Sequence, residues 1–326
     1  MELEGAGYIG SHAVRQLIEE VNQVAVLDNL QTRHLKAVDK DAQFFKGDTK
    51  DREFLRSVFS QLKIDGVLHF AANSLVAESM GNPLLYFNNN VYGTQVLLEV
   101  MEEFQVKHIV FSSTAAVYGN QTKQPITEET PVNASNDYGE TKLTMGKMMK
   151  WCNAAHGLKY VALRYFNVAG ADGTGAIGED HDPETHLIPI TLQVALGQTE
   201  NIMIFGDDYD TSDGTCIRDY IHVEDLIKGH ILALKYLFKG GESEIFNLGS
   251  SKGFSVLEIV EAAREVTGHP IPAVITDRRP GDPAALIASP EKANRILGWK
   301  PAKNCFKDII TDAWNWHQSH PNGFED

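Results

Sequence analysis

Residues 5–10 read Gly5-Ala6-Gly7-Tyr8-Ile9-Gly10, and an apolar run at 23–28 (QVAVLD) closes on Asp28, about twenty residues further on. The pattern is a glycine-rich turn that opens a helix, followed by a strand that ends in an acid. Glycines let the backbone approach a pyrophosphate closely, and a helix N-terminus favours its negative charge. An acid at the end of the second strand suits a ribose 2′-hydroxyl and repels a 2′-phosphate, which points to NAD rather than NADP. A lone GxGxxG is a frequent helix start, so its weight depends on the rest of the chain.

Upstream, the pattern is imperfect. Only Met1-Glu2-Leu3-Glu4 precede Gly5, where a feeding strand of about five apolar residues is expected. In the GxxGxxG register of extended short-chain dehydrogenases the glycines would fall at positions 4, 7 and 10, and position 4 is Glu4. The first strand reads as cut short or altered. Downstream, strand-like runs at 43–46, 66–70, 108–113 and 159–165 alternate with helical patterns at 10–20, 51–61, 91–104 and 138–156. Strict alternation predicts an α/β fold with a Rossmann-type, doubly wound parallel sheet. After Asn167 the texture changes, with glycine, aspartate and proline crowding 170–189. We expect an NAD-binding domain over 1–166, with a returning segment at 219–246 that includes a helix at 223–237. A smaller α/β substrate domain is expected over 167–218 and 247–326, with a ligand in the cleft between the two.

Composition narrows the function classes. The chain has 326 residues, 43% hydrophobic and 22% charged, which suits a globular protein with a substantial core. A formal net charge of −15 argues against nucleic acid or an anionic membrane as partner. It also means that an anionic substrate must be bound by local positive charge. Neither a membrane span nor a signal peptide is expected, and three scattered cysteines suit a reduced cytoplasmic protein.

The chemistry is carried by Tyr138-Gly139-Glu140-Thr141-Lys142, a YxxxK at a helix start. Spacing of i, i+4 puts phenol and ammonium on one helical face. The cation is expected to lower the tyrosine pKa toward working pH, so that the phenol exchanges a proton with a substrate hydroxyl. A hydroxyl partner is expected at the end of the preceding strand, in Ser112-Ser113-Thr114. Arg218-Asp219-Tyr220 and Arg278-Arg279-Pro280-Gly281-Asp282 offer a clamp for a diphosphate.

GAGYIGSH, LDNL, HFAA, FSSTAAVYG, YGETK, LRYFNVAG, RDYIHVEDL, FNLGS and RRPGD, in order along nearly the whole chain, resemble the motif series of the UDP-galactose 4-epimerases. The resemblance implies an isomerase of galactose metabolism that holds NAD and interconverts UDP-glucose and UDP-galactose through a 4-keto sugar. Tyr138 falls on the family's base, Lys142 on its lysine and Thr114 on its hydroxyl partner. NAD contacts carry over to Gly5, Gly7, Tyr8, Ile9, Gly10, Asp28, Asn29, Asp48 and Asn90, as well as Tyr138 and Lys142. For Asp48 and Asn90 a turn aspartate and a helix cap are the plain structural alternatives. Substrate contacts carry over to Asn167, Leu187, Phe205, Arg218, Arg279 and Asp282, and core packing is the alternative for Phe205. A homodimer through 91–104 and 138–156 is also implied.

Two positions depart from the family's bacterial archetype. His186 stands where it has asparagine, and Leu286 where a tyrosine lies beside the sugar. The smaller residue is the type found in members that accept N-acetylated sugars. The spacing of His181 and His186 permits a metal, but no metal is expected. Among rivals, a nucleotide-sugar 4,6-dehydratase needs an acid and a base after the threonine, where this chain has Ala115-Ala116. A non-catalytic dinucleotide-binding protein is favoured only by Glu4 and the short first strand.

Overall fold

The apolar runs at 43–46 and 159–165 form strands over those same residues, and those at 23–28, 66–70 and 108–113 form shorter strands inside the runs. The computed structural model describes residues 1–31, 34–279 and 282–324; Pro280 and Gly281 of the arginine-rich turn lie outside them. In chain order the first half supplies β1 (Glu2–Leu3), β2 (Ala25–Asp28), β3 (Gln43–Lys46), β4 (Val67–His69), β5 (His108–Ser112) and β6 (Lys159–Tyr165). The second half adds β7 (Asn167–Ala169), β8 (Ile202–Phe205), β9 (Ile217–His222), β10 (Glu244–Leu248), β11 (Gly253–Ser255), β12 (Ala273–Thr276) and β13 (Ala285–Leu286).

Seven of these form one parallel sheet in the order β3-β2-β1-β4-β5-β6-β10. The order reverses at β1, which is the switch point where ligands bind in doubly wound sheets. Although β1 is only two residues long, it pairs with both β2 and β4. Its ends are extended by single bonds, from Leu68 N to Met1 O at 2.9 Å and from Glu4 N to Leu27 O at 2.8 Å.

Period-2 alternation sorts the strand residues onto two faces. Leu68 and Val110 face a core built with Ala13, Val14 and Leu17 of helix Tyr8–Glu19 and Leu226 and Ile227 of helix Val223–Phe238. Val67, Ile109 and Phe111 face the opposite core, with Leu55, Leu97, Met101 and Met145 from three further helices. The second of those, expected from residue 91, is regular α only over Gly93–Glu103; Phe87–Tyr92 form a wider π turn.

The smaller part has its own core around Leu192, Tyr220, Ile259, Phe306 and Trp314. There β9 pairs with β7, β11 and β13, while β8 pairs with β12. Within 219–246, the start belongs to this small sheet, whereas helix Val223–Phe238 and β10 lie against or within the large one. Among the described residues no helix is long and apolar enough to cross a membrane.

Candidate active site

A cavity of about 670 Å³ runs from the N-terminus of helix Tyr8–Glu19, past the ends of β5 and β6, to the arginines of the smaller part. That size suits a nucleotide-scale ligand. At its middle β5 ends in Ser112, and Thr114 caps the short turn Ala115–Tyr118, accepting from Ala116 N at 3.1 Å. Facing it, helix Asp137–His156 starts on the Asn136 cap, whose side chain accepts from Gly139 N at 2.8 Å. A Cβ on Gly139 would sit 2.7 Å from Ala116 O. Glycine therefore lets the helix press against the turn, and Tyr138 and Thr114 both line the cavity there. One turn on, buried Lys142 donates from Nζ to Ser112 O at 2.8 Å and lies 5.9 Å from the Tyr138 ring centre.

The electrostatics differ from the sequence expectation. Burial pushes Tyr138 up to about 12, the Glu4 carboxylate adds to the rise, and only the Thr114 hydrogen bond opposes it. Burial also pushes Lys142 down to about 8, against the pull of Glu4. The expectation that Lys142 lowers Tyr138 toward neutral pH is corrected for the ligand-free protein. Desolvation of the phenolate outweighs a cation whose ammonium is engaged with a carbonyl.

At the nucleotide end, Gly7 is the N-cap of helix Tyr8–Glu19 and makes no side-chain cap, and Gly7, Tyr8, Ile9 and Gly10 line the cavity. The Tyr8 hydroxyl donates to Gly170 O at 2.7 Å, which ties this turn to the second half of the chain. Gly5 is buried and does not line the cavity; Glu4 does, with φ +70°. Glu4, at the first position of the GxxGxxG register, is thus the residue whose backbone is left-handed. Its Oε2 accepts from Ala72 N at 3.2 Å.

The other carried-over NAD residues lie off the cavity wall. Buried Asp28 accepts from Ala6 N at 3.1 Å and Leu30 N at 2.7 Å, which holds the glycine turn against β2. Asp48 accepts from Lys50 N at 2.8 Å, as a turn aspartate does, with the Asn29 amide 3.5 Å away. Asn90 is not a helix cap. It is buried, accepts from Asn73 N at 2.8 Å and donates to Asn73 O and Thr141 Oγ1, both at 3.1 Å. The uncapped helix N-terminus fits a pyrophosphate, and Glu4 is the one local misfit.

At the far end, Arg218 and Arg279 both line the cavity. Arg218 donates from Nη1 to Ile217 O and Pro283 O at 2.8 and 2.9 Å, and pairs with Asp282 at 3.3 Å. Arg279 stacks 3.9 Å above the Phe205 ring, so Phe205 is a cavity residue rather than core packing. Asn167 and Leu187 also face the cavity, Asn167 donating to Asp219 O at 3.2 Å. Leu286 does not line it; paired in register with Arg218, it packs on the cluster of Ala115, Val117, Tyr118 and Ile126, as Phe166 does. Tyr165 was missed in the sequence. It lines the cavity and hydrogen-bonds the Ser112 side chain, and its signal was a hydroxyl at the end of the strand beside β5.

The NAD dependent epimerase/dehydratase family model matches residues 5–249. The chain belongs to this family. A UDP-glucose 4-epimerase of Lacticaseibacillus casei is 59% identical over 324 residues, covering 99% of this chain and 98% of the relative. The fold superposes on a crystal structure of a UDP-glucose 4-epimerase with a TM-score of 0.99 at 60% identity, over 100% of this chain and 99% of that one. A UDP-glucose 4-epimerase of Bifidobacterium longum, solved with NAD+ and UDP, gives a TM-score of 0.94 at 40% identity and covers 99% of both chains. This family member thus shares fold and length with an epimerase solved with NAD+ and UDP.

Proposed function

We propose that the protein is a UDP-glucose 4-epimerase that inverts the C4 hydroxyl of UDP-glucose and UDP-galactose with NAD as resident cofactor. The observation that carries this reading is that Tyr138, Thr114 and Lys142 line one cavity with an open helix N-terminus and two arginines. When bound, NAD supplies a reversible hydride acceptor at C4. Gly7, Tyr8, Ile9 and Gly10 hold its pyrophosphate end, and Asp28 shapes that turn from behind.

Tyr138 takes the proton of the 4-hydroxyl as C4 gives up its hydride, and returns it to the same oxygen once the turned 4-keto sugar has been reduced on its other face, with Thr114 beside the phenol. Lys142 contributes a buried positive charge along the same helix face. Arg218, positioned by Asp282, and Arg279, stacked on Phe205, grip the diphosphate while Asn167 and Leu187 border it. The sugar alone can then turn. Leu286 packs away from the cavity on Ala115, Val117, Tyr118 and Ile126, so its size does not support acceptance of N-acetylated UDP-sugars.

We place the division between a dinucleotide domain and a UDP-sugar domain at Asn167, where the large sheet gives way to the small one. A homodimer is supported by exposed Met80, Leu84, Tyr92 and Trp151, of which Trp151 lies on helix Asp137–His156. Three free thiols support a cytoplasmic setting. Adding UDP-glucose to NAD-loaded protein tests the reading: transient NADH absorbance and UDP-galactose in the product are expected. Neither would appear if the chain only bound dinucleotide.

A further inference from the structure

Glu179-Asp180-His181-Asp182-Pro183-Glu184-Thr185-His186 forms the loop that leads into helix Leu187–Ala195 and the cavity wall. Within it Glu179, His181, Glu184 and His186 converge, with one ligand atom from each lying within 4.8 Å of all the others. Glu179 Oε1 is 3.3 Å from His181 Nδ1, which is 3.6 Å from Glu184 Oε2, and His186 Nδ1 contacts Glu179 Oε1. Bonds of about 2.0–2.1 Å to a tetrahedral zinc set neighbouring donors roughly 3.3–3.4 Å apart. Two nitrogens and two carboxylate oxygens on one short loop are close enough for a single ion to reach all four after small side-chain shifts.

Charge points the same way. The Glu179 and Glu184 side chains are 3% and 6% exposed, and among the described residues neither is paired with a lysine or arginine. Two buried carboxylates need compensating charge, and the facing His181 and His186 imidazoles meet that need either as protonated partners or as ligands to a shared metal ion. A divalent cation with two neutral imidazoles makes the site neutral. The surroundings also fix the donors. Trp316 Nε1 donates to Glu179 O at 3.2 Å, and Glu184 Oε1 accepts from Thr185 N and His186 N at 2.7 and 2.8 Å. His186, whose side chain is 55% exposed, leaves a way in from solvent.

We propose that Glu179, His181, Glu184 and His186 form a zinc site that clamps the loop in front of helix Leu187–Ala195. With four protein ligands the site is closed, so the ion is structural and takes no part in the proton chemistry at Tyr138. It braces the wall formed by His181, Thr185, His186 and Leu187. The inference departs from the expectation of no metal and is independent of the epimerase reading.

The full chain, stripped with chelator and dialysed, is titrated with zinc by calorimetry and with cobalt by visible spectroscopy, and its melting temperature is followed. We expect one zinc per chain, a tetrahedral cobalt spectrum and a zinc-dependent rise in melting temperature. Glu179→Gln and the more exposed His186→Asn should each lower zinc affinity at least about 100-fold and abolish the cobalt bands. A metal-free His186→Asn chain that melts like the metal-free parent separates ligand loss from misfolding. Absence of binding at micromolar zinc, or equal binding by parent and both variants, overturns the site.

Discussion

Glu4→Gly is expected to tighten NAD binding. Glu4 sits at φ +70°, lines the cavity beside the uncapped helix N-terminus and raises Tyr138 through its charge. A non-glycine residue in the left-handed region costs about 1–2 kcal/mol. Losing the carboxylate also frees Ala72 N, a bond worth about 0.5–1.5 kcal/mol, so the ligand-free protein should change little in stability. Binding is different. A carboxylate about 4 Å from a pyrophosphate charge costs roughly 1 kcal/mol in water and about 4 at an effective dielectric near 20. Removing it should raise NAD affinity at least about 5-fold. Calorimetric NAD titration of stripped protein measures this. Glu4→Gln, which keeps the strained backbone but drops the charge, should recover most of the gain. Affinities within two-fold of the parent for both variants would refute the reasoning, and a gain with Gly alone would move the cause to the backbone.

Tyr138→Phe should cut turnover by about 10²–10⁴-fold with UDP affinity near that of the parent, checked by steady-state kinetics and calorimetry. Arg218→Ala and Arg279→Ala should each weaken UDP itself by roughly 1.5–3 kcal/mol in the same titration. Leu286→Tyr, at a residue packed off the cavity on Ala115, Val117, Tyr118 and Ile126, should lower the melting temperature by overpacking and leave the ratio of UDP-N-acetylglucosamine to UDP-galactose turnover unchanged, as read by thermal melting and chromatography. Acid should destabilise the fold steeply. Burial lowers His12, His69 and His230 from 6.5 to about 4, 3 and 4, so their stability is full above 6.5 and is lost as pH falls toward those values. Asp219, raised by burial to about 6, offsets one of these protons below that pH. His317, also lowered by burial, adds to the loss, so stability should fall as pH drops from 6 to 4, measurable by urea unfolding.

The strands and long helices were legible because their apolar periods survive folding almost unchanged, as at 43–46 and 159–165. Tyr138 and Lys142 were legible because i, i+4 spacing is local. Properties set by tertiary burial were not. The direction of the Tyr138 shift depends on desolvation by residues distant in sequence, and Asp28 turned inward to hold Ala6 N. The Arg218–Asp282 pair joins residues 64 positions apart that β9 and β13 bring side by side. His181 and His186 could be spaced from sequence, but the convergence of Glu179 and Glu184 depends on the path of the loop and its anchor on Trp316.

The central claim is that a hydride leaves C4 and returns to the same carbon while Tyr138 moves the proton. UDP-galactose carrying deuterium at C4, incubated with NAD-loaded protein and followed by NMR, tests this most directly. UDP-glucose that retains the deuterium at C4 is the predicted result. Loss of the label to solvent, release of a keto sugar with stoichiometric NADH, or no UDP-glucose at saturating NAD would contradict it.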